Sequence, residues 1–224
     1  MEHVSDHHDH DEHIVELHGE IPTSPFGEGK QVFYLVDAES LKSGKTIISI
    51  RDNTASPGPL GLLGFGLTTF LLNLHNAGAY KMNSMIFAMG LCYGGLAQII
   101  AGIFEFKKGD LFGMVAFLSY GLFWWSLILL LALPKMGVFA AATDHAAMGC
   151  YLFIWGLFSL CMFVGTILKR APWALVWVFF TVVVLFWLLA ARHWAESEEI
   201  EVVAGVEGVV CGLSAIYLAF AQIL

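Results

Sequence analysis

The sequence predicts an all-α integral membrane protein, a six-transmembrane-helix bundle. Three observations carry this. Residues 60 to 224 divide into six long apolar blocks separated by short polar joints, with no Lys or Arg inside any block, and about 20 mostly apolar residues suffice to cross the hydrocarbon core. The 224-residue chain is 58% hydrophobic and 13% charged, with mean hydropathy +0.72, whereas a soluble domain carries about 25% charge. The first block nevertheless holds Thr68, Thr69, Asn73, His75 and Asn76. Polar groups are costly in lipid unless satisfied, so these should face a bundle interior or a watered cavity.

Residues 1–52 form a separate segment, an acidic His-rich tail. It holds 11 of the 19 acidic and 4 of the 11 basic residues, so the net charge of -8 mostly describes the tail. His3, His7, His8, His10, His13 and His18 lie among seven acids within residues 1–20. With little to bury, that stretch is expected to be disordered. It reads as a solvated tail or as a metal- or pH-responsive one, since imidazoles and carboxylates together ligate metals. Residues 31–36 and 46–50 are β-prone runs around a Lys-Ser-Gly-Lys turn and predict a small hairpin. No basic region precedes an apolar run and a cleavage site, so membrane insertion is expected to rest on the first helix.

The transport domain is expected over residues 53–224, with spans near 59–79, 82–105, 111–133, 146–168, 172–192 and 202–223. Ser56 is an expected N-cap of the first span, followed by Pro57 in the first turn. The start of this helix reads either as a rigid lead-in or as an anion-favouring vestibule. Along the span, Phe65, Thr69, Asn73 and Asn76 recur at intervals of four, four and three and share one face. Such a stripe fits a permeation path, or interhelical hydrogen bonds that hold the bundle together. His75 lies a quarter turn away, as a structural histidine or a proton relay.

On the second span Gly90, Gly94, Gln98 and Gly102 recur every four places, and Gly208 and Gly212 repeat that interval on the sixth. Small residues let helices approach closely in lipid, within one protomer or between protomers. Gln98 is placed to reach a solute or a neighbouring backbone. Glu105 beside Lys107 and Lys108 suggests an interfacial ion pair. Glu207, inside the sixth span, is costly unless watered or paired; it joins His75 as a candidate for proton coupling. The four cysteines match no zinc or redox spacing and are expected to be buried packing thiols.

An even number of spans puts both termini on one side. That side carries Lys30, Lys42, Lys45, Arg51, Lys107, Lys108, Lys169 and Arg170, against Lys81, Lys135 and Arg192 on the other. Positive residues favour the cytoplasm, so both termini are expected there, in a multi-pass protein of the cytoplasmic membrane. No nucleophile elbow, metalloprotease helix, phosphate loop or intramembrane lysine occurs, and neither catalysis nor a cofactor, resident metal or nucleic-acid partner is expected.

Residues 56–78, Ser-Pro-Gly-Pro-Leu-Gly-Leu-Leu-Gly-Phe-Gly-Leu-Thr-Thr-Phe-Leu-Leu-Asn-Leu-His-Asn-Ala-Gly, resemble the signature of the acetate uptake transporter family (AceTr, or YaaH), the succinate/acetate permeases. The likeness continues at residues 93–99, 104–110, 117–121 and 211–217. It implies a homohexamer with a path through each protomer for acetate and similar small monocarboxylates, sometimes succinate, by proton-linked or channel-like passage. It also implies an apolar constriction at Phe65, Tyr120 and Val182, with Thr69, Asn73, Asn76 and Gln98 as polar path residues. Where relatives carry Leu, the smaller Val182 predicts a wider opening. Ser56 and Gly58 depart from the family's Asn-Pro-Ala-Pro, so no asparagine contact carries over there. A channel for another small solute and a membrane receptor sensing pH or metal through the tail are the competing readings.

Overall fold

The computed structural model describes residues 55–138 and 143–224, and the compact unit runs from Ser56 to Leu224. The tail, its hairpin and its histidines lie outside the described residues. Six helices form within them: α1 Gly58–Asn76, α2 Ser84–Lys108, α3 Leu111–Ala132, α4 His145–Leu168, α5 Trp173–Ala195 and α6 Glu198–Ile223. The last five are long and apolar enough to cross a membrane. The first, at 19 residues, is the shortest and the most polar toward its end, where Asn73, His75 and Asn76 cluster.

The polar joints act as caps. Asn83 accepts from the Met85 N–H at 3.0 Å to start α2, and Asp110 from Phe112 at 3.0 Å to start α3. Asp144 accepts from Ala147 at 2.6 Å to start α4, and Ser197 from Ile200 at 3.3 Å to start α6. Each supplies an acceptor for an otherwise orphaned first-turn donor. Gly109, at φ 77°, closes α2 in the left-handed region that glycine tolerates.

Ser56 does not cap α1. Pro57 takes the cap position with no side-chain bond, and its carbonyl accepts from the Gly61 N–H at 3.2 Å. Of the two donors a Ser56 cap would serve, at residues 58 and 59, the second is replaced by a proline nitrogen, which has no hydrogen to give.

Consecutive helices run antiparallel. The two ends of the unit meet: a Cβ on Gly58 would stand 3.2 Å from Oε1 of Gln222. The chain therefore starts and finishes at one end of the bundle, here the terminal end. Helix α1 packs most extensively on α6, α4 on α5, and α2 on α3. The glycines make these contacts within the protomer. A Cβ on Gly208 would lie 2.1 Å from Asn73 Cγ, and one on Gly212 would lie 2.8 Å from the Gly66 carbonyl oxygen. Gly90 and Gly94 face Ile128 and Trp124 of α3, and Gly102 faces Leu118.

Residues Gly90–Ala97 form a π-helical stretch. Widened turns interrupt the regular carbonyl ladder and occur often at functional sites. Here the Leu91 carbonyl accepts from the Trp125 indole at 2.9 Å, and Gln98 follows directly.

Apolar side chains also cover the outside of the bundle. Phe106, Leu168, Trp173 and Trp194 are exposed, as lipid-facing residues should be. The cysteines differ from expectation: Cys211 is buried, but Cys92, Cys150 and Cys161 lie on the exposed faces. In a membrane bundle an apolar block is apolar on its lipid face as well, so apolar context does not imply core.

Candidate functional site

Two cavities lie end to end along the bundle. The first, about 390 Å³, opens among residues of the terminal end: Ser56, Glu105, Lys108, Asp110 and Gln222. The second, about 280 Å³, opens at the far end, among His75, Met82, Arg192, His193 and Glu201. Phe65 and Val182 line both. Tyr120 lines the first, and its ring centroid stands 5.8 Å from that of Phe65. Phe65, Tyr120 and Val182 are 6%, 4% and 2% exposed, so an apolar, nearly water-free level separates the two cavities.

The ring of Tyr120 is held from several sides. Its hydroxyl donates to Ser159 Oγ at 2.9 Å, and Ser159 donates to the Trp155 carbonyl at 2.8 Å. Phe158 meets it edge-on at 5.5 Å and Phe186 lies parallel at 6.5 Å. Such contacts fix a rotamer far better than lipid would.

The polar residues divide between the cavities. Thr69, Asn73, His75 and Asn76 line the second, and Gln98 lines the first. Asn73 donates to the Thr69 carbonyl at 2.9 Å, and its oxygen accepts from Asn76 Nδ2 at 3.0 Å. The amides thus bond along α1, rather than across helices as the packing reading required. The Thr69 hydroxyl and both amide atoms of Gln98 are buried without a hydrogen-bond partner among the described residues. Buried polar groups are rarely left so, and each costs about 1–3 kcal/mol unless a water or solute completes it. Gln98 also packs closely on α1, with its Cγ 3.2 Å from where a Cβ on Gly64 would stand.

His75 Nδ1 donates to the Tyr80 carbonyl at 2.8 Å, and the Tyr80 hydroxyl donates in turn to the Leu71 carbonyl. Burial pushes the Tyr80 phenol above its usual range, so it stays a donor. Glu207 lines neither cavity; both its oxygens are shielded and have no partner among the described residues. Glu105 is 7% exposed and lines the first cavity, while Lys107 lies over the Phe104 ring at 5.3 Å.

Some site residues carried no sequence signal of their own. Trp124 lines the second cavity, its indole N–H without a partner among the described residues. Arg192 reaches across the α5–α6 joint to Glu201, with Nε at 2.9 Å and Nη2 at 2.6 Å. Opposite charges flanking a tight joint between antiparallel helices were the clue available for that pair.

A membrane bundle that encloses two partly polar cavities, parted by an apolar closure, belongs to the class of solute passages rather than of structural membrane proteins. The chain is a member of the GPR1/FUN34/yaaH family, whose model matches residues 39–224. An uncharacterised protein of Methanothermobacter thermautotrophicus is 52% identical over 80% of this chain and 90% of its own length. The succinate-acetate/proton symporter SatP of Escherichia coli K12 is 51% identical over 76% of this chain and 89% of its own. The solved structure of the bacterial acetate channel SatP superposes with a TM-score of 0.74 at 50% identity, covering 76% of this chain and 93% of that one.

Proposed function

We propose that the chain carries acetate and similar small monocarboxylates across a membrane, passing them between the two cavities through the Phe65, Tyr120 and Val182 neck. The carrying observation is that Phe65 and Val182 line both cavities, while polar groups without a partner among the described residues stand on either side, Gln98 in the first and Thr69 in the second. Relatives at about half identity, named for succinate-acetate symport and as an acetate channel, support the substrate class. Cavities of 390 and 280 Å³ leave room for a two-carbon acid and several waters, each water taking roughly 30 Å³.

The neck favours the neutral acid. An isolated carboxylate is far more costly to dehydrate than its protonated form, so passage rises as pH falls toward the carboxylic acid range. Asn73, Asn76, Thr69 and Gln98 offset the loss of water on each side. Of the two groups proposed for proton coupling, Glu207 has no partner among the described residues, whereas His75 is tied to Tyr80. The protomers assemble as a homohexamer in the cytoplasmic membrane, with the terminal end cytoplasmic, as the basic-residue asymmetry favours. Uptake of labelled acetate into proteoliposomes tests the reading: uptake above that of protein-free vesicles supports it, and equal uptake rejects it.

A further inference from the structure

At the terminal end, side chains from three separate parts of the unit bring oxygens to one point. A Cβ on Gly58 would stand 3.2 Å from Gln222 Oε1, 3.5 Å from Glu105 Oε1 and 3.5 Å from Ser56 Oγ. Glycine has no Cβ, so the space a methyl group would fill stays open between a carboxylate, an amide carbonyl and a hydroxyl. Ser56, Gly58, Glu105 and Gln222 all line the first cavity, and the point lies at its mouth.

Glu105 is the group that calls for an occupant. It is 7% exposed, yet it forms no hydrogen bond or ion pair among the described residues. A buried carboxylate without a partner is costly until a counter-charge reaches it. Its charged neighbours do not supply one between them, because Asp110 and Lys108 act on it with opposite signs. Asp110 gives Oδ1 to the Phe112 N–H, and its Oδ2 turns toward Glu105: a Cβ on Gly113 would stand 2.9 Å from that oxygen and 3.0 Å from Glu105 Cδ. Glu105, Lys108 and Asp110 are the charged residues that line this cavity, so the charge of Glu105 itself is left over.

We propose that this point binds one large monovalent cation, of which K+ is the type, held by Glu105 Oε1, Gln222 Oε1 and Ser56 Oγ against the bare Cα of Gly58. The donors set the class. All are oxygens, which suit hard cations rather than zinc or copper. Mg2+ and Ca2+ draw oxygens in to about 2.0–2.6 Å and take roughly six to eight of them. Here the oxygens stand around a wider opening and only one belongs to a carboxylate, which fits a larger, singly charged ion that keeps part of its water. The consequence for transport rests on the acetate reading. A bare carboxylate at the mouth repels the monocarboxylate that must enter, and over ~7 Å in water one unit charge changes its local concentration about threefold. The bound cation cancels that repulsion.

The test compares the purified full chain in KCl and in choline chloride of equal ionic strength, choline being too large for the site. K+ should raise the melting temperature saturably, as a ligand of the folded state does. Gly58→Ala puts a methyl group where the ion rests, against side-chain ends that can shift, and should melt alike in both salts; so should Glu105→Gln, which removes the charge. In proteoliposomes with the same salt on both faces, K+ in place of choline should lower the wild-type KM for labelled acetate about threefold. Gly58→Ala should keep the higher KM in both salts, and Glu105→Gln the lower one. Absence of a saturable K+ effect on wild-type melting, stabilisation by Mg2+ or Ca2+ alone, or a Gly58→Ala protein that responds to K+ as the wild type does would overturn the site. A K+ effect on melting with none on KM would overturn its role at the mouth. If K+ stabilises the chain but no acetate is carried in either salt, the site stands and the transport reading falls.

Discussion

Replacing Phe65 by alanine should join the two cavities that its ring lines. Its ring lines both, is 6% exposed and meets Tyr120 at 5.8 Å. Removing it joins spaces of 390 and 280 Å³ into one watered passage. A buried Phe→Ala change costs about 3–5 kcal/mol where the hole stays dry. Beside two cavities water can enter, so the folding cost should fall below that range. The larger effect is on selection. Succinate must carry a second carboxylate past the neck, and each dehydrated ion costs several kcal/mol in a protein interior. Relief of about 1.4 kcal/mol is a tenfold change in rate. The succinate-to-acetate uptake ratio should therefore rise about tenfold in Phe65→Ala, and also in Tyr120→Ala, measured by paired labelled uptake in proteoliposomes matched for protein content. Tyr120→Phe is the control. It keeps the ring and loses only the bond to Ser159, worth about 1 kcal/mol, and should lower thermal stability while leaving the ratio alone. If neither alanine variant moves the ratio while both remain folded, the neck lies elsewhere and the reasoning fails.

Val182→Phe should slow even acetate, because the added ring enters a level already closed to 2% exposure; unchanged acetate flux would count against a neck there. Gly208→Ala should destabilise the α1–α6 contact by about 1–3 kcal/mol, since its Cβ would fall 2.1 Å from Asn73 Cγ, and a melting curve equal to the wild type's would refute that packing. Glu207→Gln should flatten the pH dependence of uptake if that carboxylate moves the proton; an unaltered profile leaves the coupling to His75 or to the acid itself. For assembly and orientation, native mass spectrometry should show six copies, and an impermeant thiol reagent should label a cysteine placed at Glu198 but not one in the tail of intact cells. Monomers with full transport, or the reverse labelling, would overturn these.

The bundle was legible because lipid imposes one rule on every span: all backbone groups bonded inside a helix and apolar side chains outside. That rule writes itself as six apolar blocks, and their joints hold Asn83, Asp110, Asp144 and Ser197, which turned out to be caps. The stripe of Thr69, Asn73 and Asn76 was legible for the same reason, since polar groups inside such blocks need a purpose. The π-helical stretch was not, because the glycines of residues 90–97 satisfy an α-helical and a widened turn equally on paper. Nor could apolar surroundings separate the buried Cys211 from the exposed Cys92, Cys150 and Cys161. Val182 is one valine among many on α5, and only the family resemblance singled it out; the structure then placed it between the cavities. The approach of His193 to His145 spans 48 residues of sequence, and nothing local announces a contact made by tertiary packing.

The central claim is passage of a small monocarboxylate through each protomer, and labelled acetate uptake into proteoliposomes with and without an acid-outside gradient tests it most directly. The account predicts uptake well above protein-free vesicles, faster at pH 5.5 than at 7.5 after the passive entry of acetic acid is subtracted, and strongly reduced in Val182→Phe. Uptake equal to that of protein-free vesicles at both pH values, with the chain folded and inserted, would contradict it.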